Sequence, residues 1–343
     1  MQLILVFQHC LGVGHLAGEF ARCIQRQDPN LVSDVDILCL QIAGLCHDLG
    51  HGPFSHLWEV FMSRANAKQK WTHEENSIKI FDKLIEKNGL GPLFKKNGLN
   101  ENDIIFIKEA IGGPLGDDGR TYKGRGPEKY FLYEIVANKT TGIDVDKLDY
   151  FQRDEYYLNV GTVFKDKEAK CLSDIFMDRS RLHDRAYQHR VVQNIQQMVL
   201  DALILAEPIM DSDDPRIVPA QNLLRRIETR DFYSLVSEWT PPHGLTLIHP
   251  IPDSWGLSIK DFGLAFKVID LGEGDKKRKV IFYDKNNCIT NEIGIHGLIN
   301  VPSVTLYFLM KESSQIINPN VHEIVRKWIR YLENNIESCL TDM

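Results

Sequence analysis

The segment DVDILCLQIAGLCHDLGHGPFSH (34–56) decides how the rest of the chain is read. Residues 34–48 are apolar almost all round and follow a Ser33/Asp34 cap signal, which predicts a buried central helix. That helix ends on the pair His47–Asp48, and LGHGPF, with two glycines and a proline, breaks it at once. Taken alone the pair is common, and a hydrogen-bonded buried His beside a capping Asp would account for it.

The surroundings shift that balance. Six of the twelve histidines (9, 15, 47, 51, 56 and 73) fall within the first 73 residues, several inside apolar segments. Each buried imidazole needs partners for both ring nitrogens, so burying many of them without a task is costly. A shared metal, with outer hydrogen bonds to the rings, would meet that cost. Mixed imidazole and carboxylate ligands suit iron, manganese, zinc or nickel, and no cysteine cluster nearby suggests a structural zinc. Two His and two Asp would leave positions for water and a substrate oxygen, which is the pattern of a catalytic site. A distant carboxylate is available in IDVDKLD (143–149), where spacing leaves Asp144, Asp146 and Asp149 equally open.

Further helices are predicted at 13–24, 55–63, 73–88, 101–111, 129–138, 143–158 and 180–206. Val13, Leu16, Ala17, Phe20 and Ile24 recur at helical spacing in the first, and His15 reads as a core or rim residue. GGPLGDDGRTYKGRGP (112–127) reads as a solvated loop. After EPIMDSDDP (207–215) the character changes: LAFKVIDLG (264–272) and RKVIFYD (278–284) read as strands around a GEGDKK turn. VHEIVRKWIRYLENNI (321–336) reads as a closing amphipathic helix. The expected fold is mainly α, a helical core over 1–206 followed by a smaller α+β lobe over 207–343.

Composition narrows the function. A net charge of -7 and a pI near 6.0 argue against a general nucleic-acid binder, while leaving room for a small polyanionic substrate. The apolar start MQLILVFQHCLGVGHLAG lacks a basic n-region and holds His9 and His15, so it does not read as a secretory signal. Seven cysteines without a CxxC pair suggest reduced thiols in the cytosol or nucleus. No run of about 18 apolar residues suggests a membrane span.

HCLGVGHLAG (9–18), QIAGLCHDLGHGPFSH (41–56), WTHE (71–74), FLYEIVANK (131–139), GIDVDKLDYFQRD (142–154) and LHDRAYQH (182–189) follow one another in a fixed order. Together they resemble the SAM- and HD-domain-containing deoxynucleoside triphosphate triphosphohydrolases, over most of residues 7–206. The resemblance implies that the metal (Fe, Mn or Zn) is held by His9, His47, Asp48 and Asp146, choosing Asp146 among the three acids. It implies that His51, His56 and His73 line the phosphates, His56 and His73 being favoured as acids, and that Mg accompanies the phosphates. Lys147 is implied at a phosphate, and Tyr150 and Asp154, at +4 and +8 from Asp146 on one helix face, near the sugar. His183, Tyr187 and Gln188 are implied near the nucleoside, with the Tyr187 ring excluding a 2′-hydroxyl, and His189 and Arg190 at an allosteric contact. The implied reaction converts dGTP and other dNTPs to deoxynucleoside and inorganic triphosphate. An activating nucleotide and a dimer or tetramer are further implications.

The chain also departs from the resemblance. It begins almost at His9, without a counterpart of the SAM domain, and has Val6 where the family carries a phosphate-binding arginine three residues before the first ligand. Residues 159–176 are shorter than their counterpart, and the join at 207–224 omits a segment. Losing one charge-assisted phosphate contact costs on the order of 1.5–3 kcal/mol. Two other readings therefore stand beside the first: a different HD phosphohydrolase, acting on cyclic nucleotides or as a nucleotidase, and a weakened nucleotide- or nucleic-acid-binding form. The run KKRK (276–279) reads as solvated charge.

Overall fold

A computed structural model describes residues 2–65, 71–115, 121–140, 142–158, 177–209, 214–241, 262–269, 279–283, 289–294, 303–311 and 321–334. The chain divides into two compact units, residues 1–163 with 277–294, and residues 164–276 with 295–343.

In the first unit, α1 (Gln2–Gln27) and α2 (Asp34–Cys46) are followed by α3 (His56–Ala65), α4 (His73–Lys87), α5 (Gly91–Lys96) and α6 (Glu101–Gly112). A 3-10 turn (Pro127–Leu132) then leads into the short α7 (Tyr133–Val136), and α8 (Val145–Leu158) follows. The apolar α2 is central, as its composition predicts. Its Ile37, Cys39, Leu40 and Ala43 pack with Val13, Ala17 and Ala21 of α1 and Phe106, Ile107 and Ala110 of α6. A capping box between Ser33 and Asp36 starts α2 and satisfies two of its free backbone donors. On α1 the buried stripe runs through Cys10, Val13, Ala17 and Ala21; His15 and Phe20 are exposed, one helical step off the expected face.

The loop read as solvated is partly packed, and residues 116–120 of it lie outside the described residues. Arg125 donates to Asp36 (Nε, 2.7 Å) and to Asp103 (Nη2, 2.6 Å) and lies 4.3 Å from the centre of the Phe106 ring. Lys129 Nζ also donates to Asp36. Beside this hub the buried Glu109 accepts from the amides of Lys123 (2.7 Å) and Gly124 (2.9 Å) and from the Tyr133 hydroxyl (2.7 Å). The carboxylates bring the glycine-rich segment inward, which its polarity alone did not reveal.

In the second unit, a helical stretch from residue 177 widens into a single π turn at His183–Tyr187, and α9 (Arg190–Ala206) follows. The helix read over 180–206 is thus interrupted, and His189 caps α9 by accepting from Val191 N. Then come α10 (Val218–Glu228), β1 (Ser234–Trp239), β2 (Phe262–Ile269), β5 (Ser303–Met310) and α11 (Val321–Asn334). The sheet has the antiparallel order β1-β5-β2. Alternate residues of β5 face opposite ways. Leu306, Phe308 and Met310 pack with Val321, Val325 and Trp328 of α11, while Tyr307 and Leu309 join Met198 of α9. Packing thus groups 190–206 with the sheet, although the sequence changes character only after 206.

The expected strands form, but not as a hairpin. β2 pairs with β5, whereas β3 (Lys279–Tyr283) pairs with β4 (Ile289–Gly294) in a separate ribbon grouped with the first unit. Most of KKRK lies outside the described residues. No described helix is long and apolar enough to cross a membrane.

Candidate metal centre

Three elements bring the imidazoles and carboxylates together: α1 supplies His9, the end of α2 supplies His47 and Asp48, and the first turn of α8 supplies Asp146. His9 Nε2 lies 3.0 Å from Asp146 Oδ1 and 3.6 Å from Asp48 Oδ2. His47 Nε2 lies 3.3 Å from Asp48 Oδ1 and 3.6 Å from Asp146 Oδ1. His47 Nδ1 donates to the Gly44 carbonyl at 2.8 Å, which turns the Nε2 lone pair toward the carboxylates. That Nε2 is buried without a hydrogen-bond partner. A buried acceptor facing two other acceptors needs a cation between them.

The electrostatics agree. Burial works to lower the pKa of His9, but the hydrogen bonds to Asp146 and Asp149 and the charges of Asp146 and Asp48 prevail and raise it to about 10. His47 is raised in the same way against its burial, chiefly by Asp146 and Asp48. Burial pushes Asp146 up, yet the His47 and His9 rings hold it well below the usual carboxylate range. A divalent ion satisfies the same excess of negative charge that otherwise draws protons onto the rings. The residues present therefore fit a metal ion; His9, His47 and Asp48 place one ligand atom each within 4.8 Å of one another. Asp146 is the most open of the four, its side chain 26% exposed against 10% for His47.

The three neighbouring acids take different roles. Asp144 caps α8, accepting from Lys147 N at 3.2 Å and from Asn138 N at 3.0 Å. Asp149, one turn beyond Asp146, accepts from His9 Nδ1 at 2.7 Å, on the side of the ring away from Asp146. Of these three acids, Asp146 is the one that joins Asp48 against the Nε2 atoms of both histidines. Linear spacing could not separate a cap, a direct neighbour and an outer support.

Beside this centre stands a second group of rings. His51 and His73 stack at 4.1 Å with planes 8° apart, and His56 meets both edge-on at 5.2 and 5.3 Å. Glu59, which sequence reading missed, accepts from the ring Nδ1 and, at 3.1 Å, from the backbone N of His73. Its carboxylate lies 3.6 Å from His56 Nδ1. Burial opposes its ionisation, but the His73 bonds hold its pKa low. Asp48, His51 and His73 also bring ligand atoms close together. An ion must lie near the plane of each imidazole that binds it, and two parallel stacked rings do not offer that.

The first and second groups are joined by the turn after Asp48. Ser77 of α4 accepts from Gly50 N at 2.8 Å and donates to the His47 carbonyl at 2.6 Å, while Asn76 donates to the Gly50 carbonyl at 2.9 Å. A Cβ on Gly50 would sit 2.2 Å from both His73 O and Ser77 N, so only glycine allows this approach. Phe54 and Ser55 follow with φ of 65° and 54°, left-handed backbone that residues with side chains rarely adopt. His56, whose side chain is 74% exposed, begins α3 immediately after.

Among the residues implied at the substrate, Lys147 Nζ lies 3.0 Å from both Asp144 oxygens and 3.7 Å from Asp146 Oδ2. Tyr150 and Asp154 are half-buried farther along α8, the Tyr150 ring against Phe151 at 4.7 Å. Val6 is half-buried on α1. In the second unit the π turn joins His183 to Tyr187 (rings 5.2 Å apart), and His183 Nδ1 meets Gln188 Nε2 at 3.0 Å. Burial, then the charge of Arg179, lowers the pKa of His183 to about 4, which keeps it neutral near pH 7. Arg190 is exposed at the start of α9.

Residues 6–113 match the family described as HD domain. The chain is 40% identical over 299 residues to the deoxynucleoside triphosphate triphosphohydrolase SAMHD1 of Bos taurus, covering 68% of this chain and 51% of that protein. It is 39% identical over 298 residues to the Homo sapiens protein of the same name (68% and 48%). With the Danio rerio protein it shares 45% over 370 residues (84% and 59%). The chain thus spans about half the length of the curated relatives it matches.

Proposed function

We propose that this HD-domain chain, similar over most of its length to deoxynucleoside triphosphate triphosphohydrolases, hydrolyses deoxynucleoside triphosphates to deoxynucleoside and inorganic triphosphate. The observation that carries the reading is the buried, unpartnered His47 Nε2, aimed at Asp48 and Asp146 beside a second histidine cluster. His9, His47, Asp48 and Asp146 would hold the metal. A divalent ion bound there supplies the charge that activates water and neutralises phosphoryl oxygens.

The rest of the chemistry falls to the chain's own side chains. Water adds at the α-phosphorus, the bond to the 5′-oxygen breaks, and that oxygen must receive a proton. His73 donates Nδ1–H to Glu59, which leaves its Nε2 to hold or hand on a proton. The exposed His56 supplies a second donor at the mouth of the site. His51, stacked on His73, limits the rotation of that ring. Lys147 spends two of its ammonium N–H groups on Asp144 and keeps a third that a phosphate oxygen would accept. Tyr150 and Asp154 lie along the same helix toward the sugar. His183, Tyr187 and Gln188 contact the nucleoside in this reading, and His189 and Arg190 an activating nucleotide. Self-association belongs to the same proposal.

The test is to incubate metal-loaded protein with dGTP, GTP and a cyclic nucleotide and to assay inorganic triphosphate. Triphosphate from dGTP alone supports the reading. Cleavage of the cyclic ester would replace it with a different HD phosphohydrolase, and no product would leave a binding role.

A further inference from the structure

We propose that Gly12, Asp149 and Arg153 form a relay that fixes the ring of His9 and so sets how tightly the site holds its metal. They are positioning residues, acting through His9 rather than on substrate. The inference rests on the metal-centre reading and deepens it, since it assigns roles to three residues outside the ligand set.

Asp149 accepts from His9 Nδ1 at 2.7 Å, and its side chain is 9% exposed. Arg153 grips the same carboxylate with two parallel bonds, Nε to Oδ2 at 3.0 Å and Nη2 to Oδ1 at 2.8 Å. This fork is the strongest and most directional way to hold a carboxylate. Nη2 also donates to the Gln8 carbonyl at 3.1 Å, the residue before His9. The guanidinium therefore ties α8 to α1 at the backbone beside His9 as well as through its ring.

The relay needs a gap in α1, and Gly12 provides it. Gly12 stands one turn after His9, and a Cβ there would lie 1.8 Å from Asp149 Oδ1 and 2.9 Å from Arg153 Nη2. Any larger residue would push the carboxylate off the ring. Glycine is a poor helix former, so a place in the interior of α1 is explained by what passes beside it.

The chemical consequence follows from the two ring nitrogens. A carboxylate accepting at Nδ1 fixes the proton there, leaves the lone pair on Nε2, and makes that nitrogen more basic. Nε2 is the atom that faces Asp146 and Asp48. Losing such an outer partner typically weakens metal binding by about 10–100-fold.

The test is Mn²⁺ affinity, measured by competition with a chelator and without substrate, for wild type, Gly12→Ala, Asp149→Ala, Asp149→Asn and Arg153→Lys. Long-range ¹H–¹⁵N spectra of the His9 ring report its tautomer. Gly12→Ala and Asp149→Ala are expected to weaken Mn²⁺ binding about 10–100-fold and to mix the tautomers. Asp149→Asn, which keeps an acceptor but loses the charge, should keep the tautomer and lose part of the affinity. Arg153→Lys should fall between it and wild type. If Asp149→Ala destabilises the fold, the near-isosteric Asp149→Asn and the charge-keeping Arg153→Lys still decide the matter. Wild-type affinity and a single tautomer in the Asp149 and Gly12 variants would overturn the relay. A wild-type chain that binds no Mn²⁺ would instead overturn the metal-centre reading, and the relay with it.

Discussion

Two buried clusters of charge lie in the first unit, and they are built to opposite ends. Around Asp36, two carboxylates (Asp36 and Asp103) meet two cations (Arg125 and Lys129), and the group is in balance. Around His9 and His47 stand the carboxylates Asp48, Asp146 and Asp149, of which Asp149 is paired with Arg153, while Lys147 lies nearer Asp144 than Asp146. One fixed cation against three acids leaves two negative charges and a buried imidazole nitrogen without a partner. The balanced cluster holds structure together. The unbalanced one is poised for a divalent ion, and that difference separates a structural hub from a reactive centre more sharply than residue type does.

The comparison can be broken at either cluster. Asp146→Ala should abolish metal retention and lower triphosphate release from dGTP on the order of 10⁴-fold, about 5 kcal/mol of transition-state stabilisation. Its urea-unfolding midpoint should fall only modestly, since the lost pairing with the His9 and His47 rings is partly offset by less repulsion with Asp48; an unchanged rate would sink the ligand assignment. Arg125→Met should do the reverse, because removing one member of a buried ionic group costs about 3–5 kcal/mol of folding stability. Urea unfolding measures that loss, and a stability within experimental error of wild type would show that the hub bears no weight.

A third, smaller effect concerns acid. Burial works to raise the Asp36 pKa, but Lys129, Ser33 and Arg125 prevail and lower it to about 2. A depressed folded pKa stabilises above the unfolded value, about 3.9, and that stability is lost as pH falls toward 2. Roughly 2 kcal/mol should disappear between pH 5 and pH 2. Asp36→Asn should flatten that part of the profile in urea titrations, and an equal slope in both proteins would count against it. The smallest expected change is a gain. Val6→Arg adds a cation at the deficient cluster and should lower KM for dGTP about tenfold, the worth of one charge-assisted contact; a KM that does not move would place the phosphates elsewhere.

Sequence made α2, its His47–Asp48 ending and the glycine turn legible, because burial, periodicity and helix breaking are local properties. It made the histidine cluster legible as a cost in search of a partner. It could not rank Asp144, Asp146 and Asp149, whose roles depend on helix phase and on which ring each one meets. Arg125, Glu59 and Arg153 escaped notice for a related reason: each acts on a partner brought in by the fold, Arg125 on Asp36 across 89 positions and Arg153 on Gln8 across 145. The pairing of β2 with β5 rather than β3 is likewise a long-range choice, invisible in two similar alternating runs.

The left-handed backbone at Phe54 and Ser55 carries one more consequence. A free peptide seldom visits that conformation at one such residue, and still less at two in succession. The shape of residues 47–56 is therefore on loan from its neighbours, chiefly α4 through Ser77 and Asn76. Grafted onto another scaffold, the ten-residue motif would bring its side chains but leave their spacing behind. What is portable here is the turn together with the α4 that enforces it, not the motif itself.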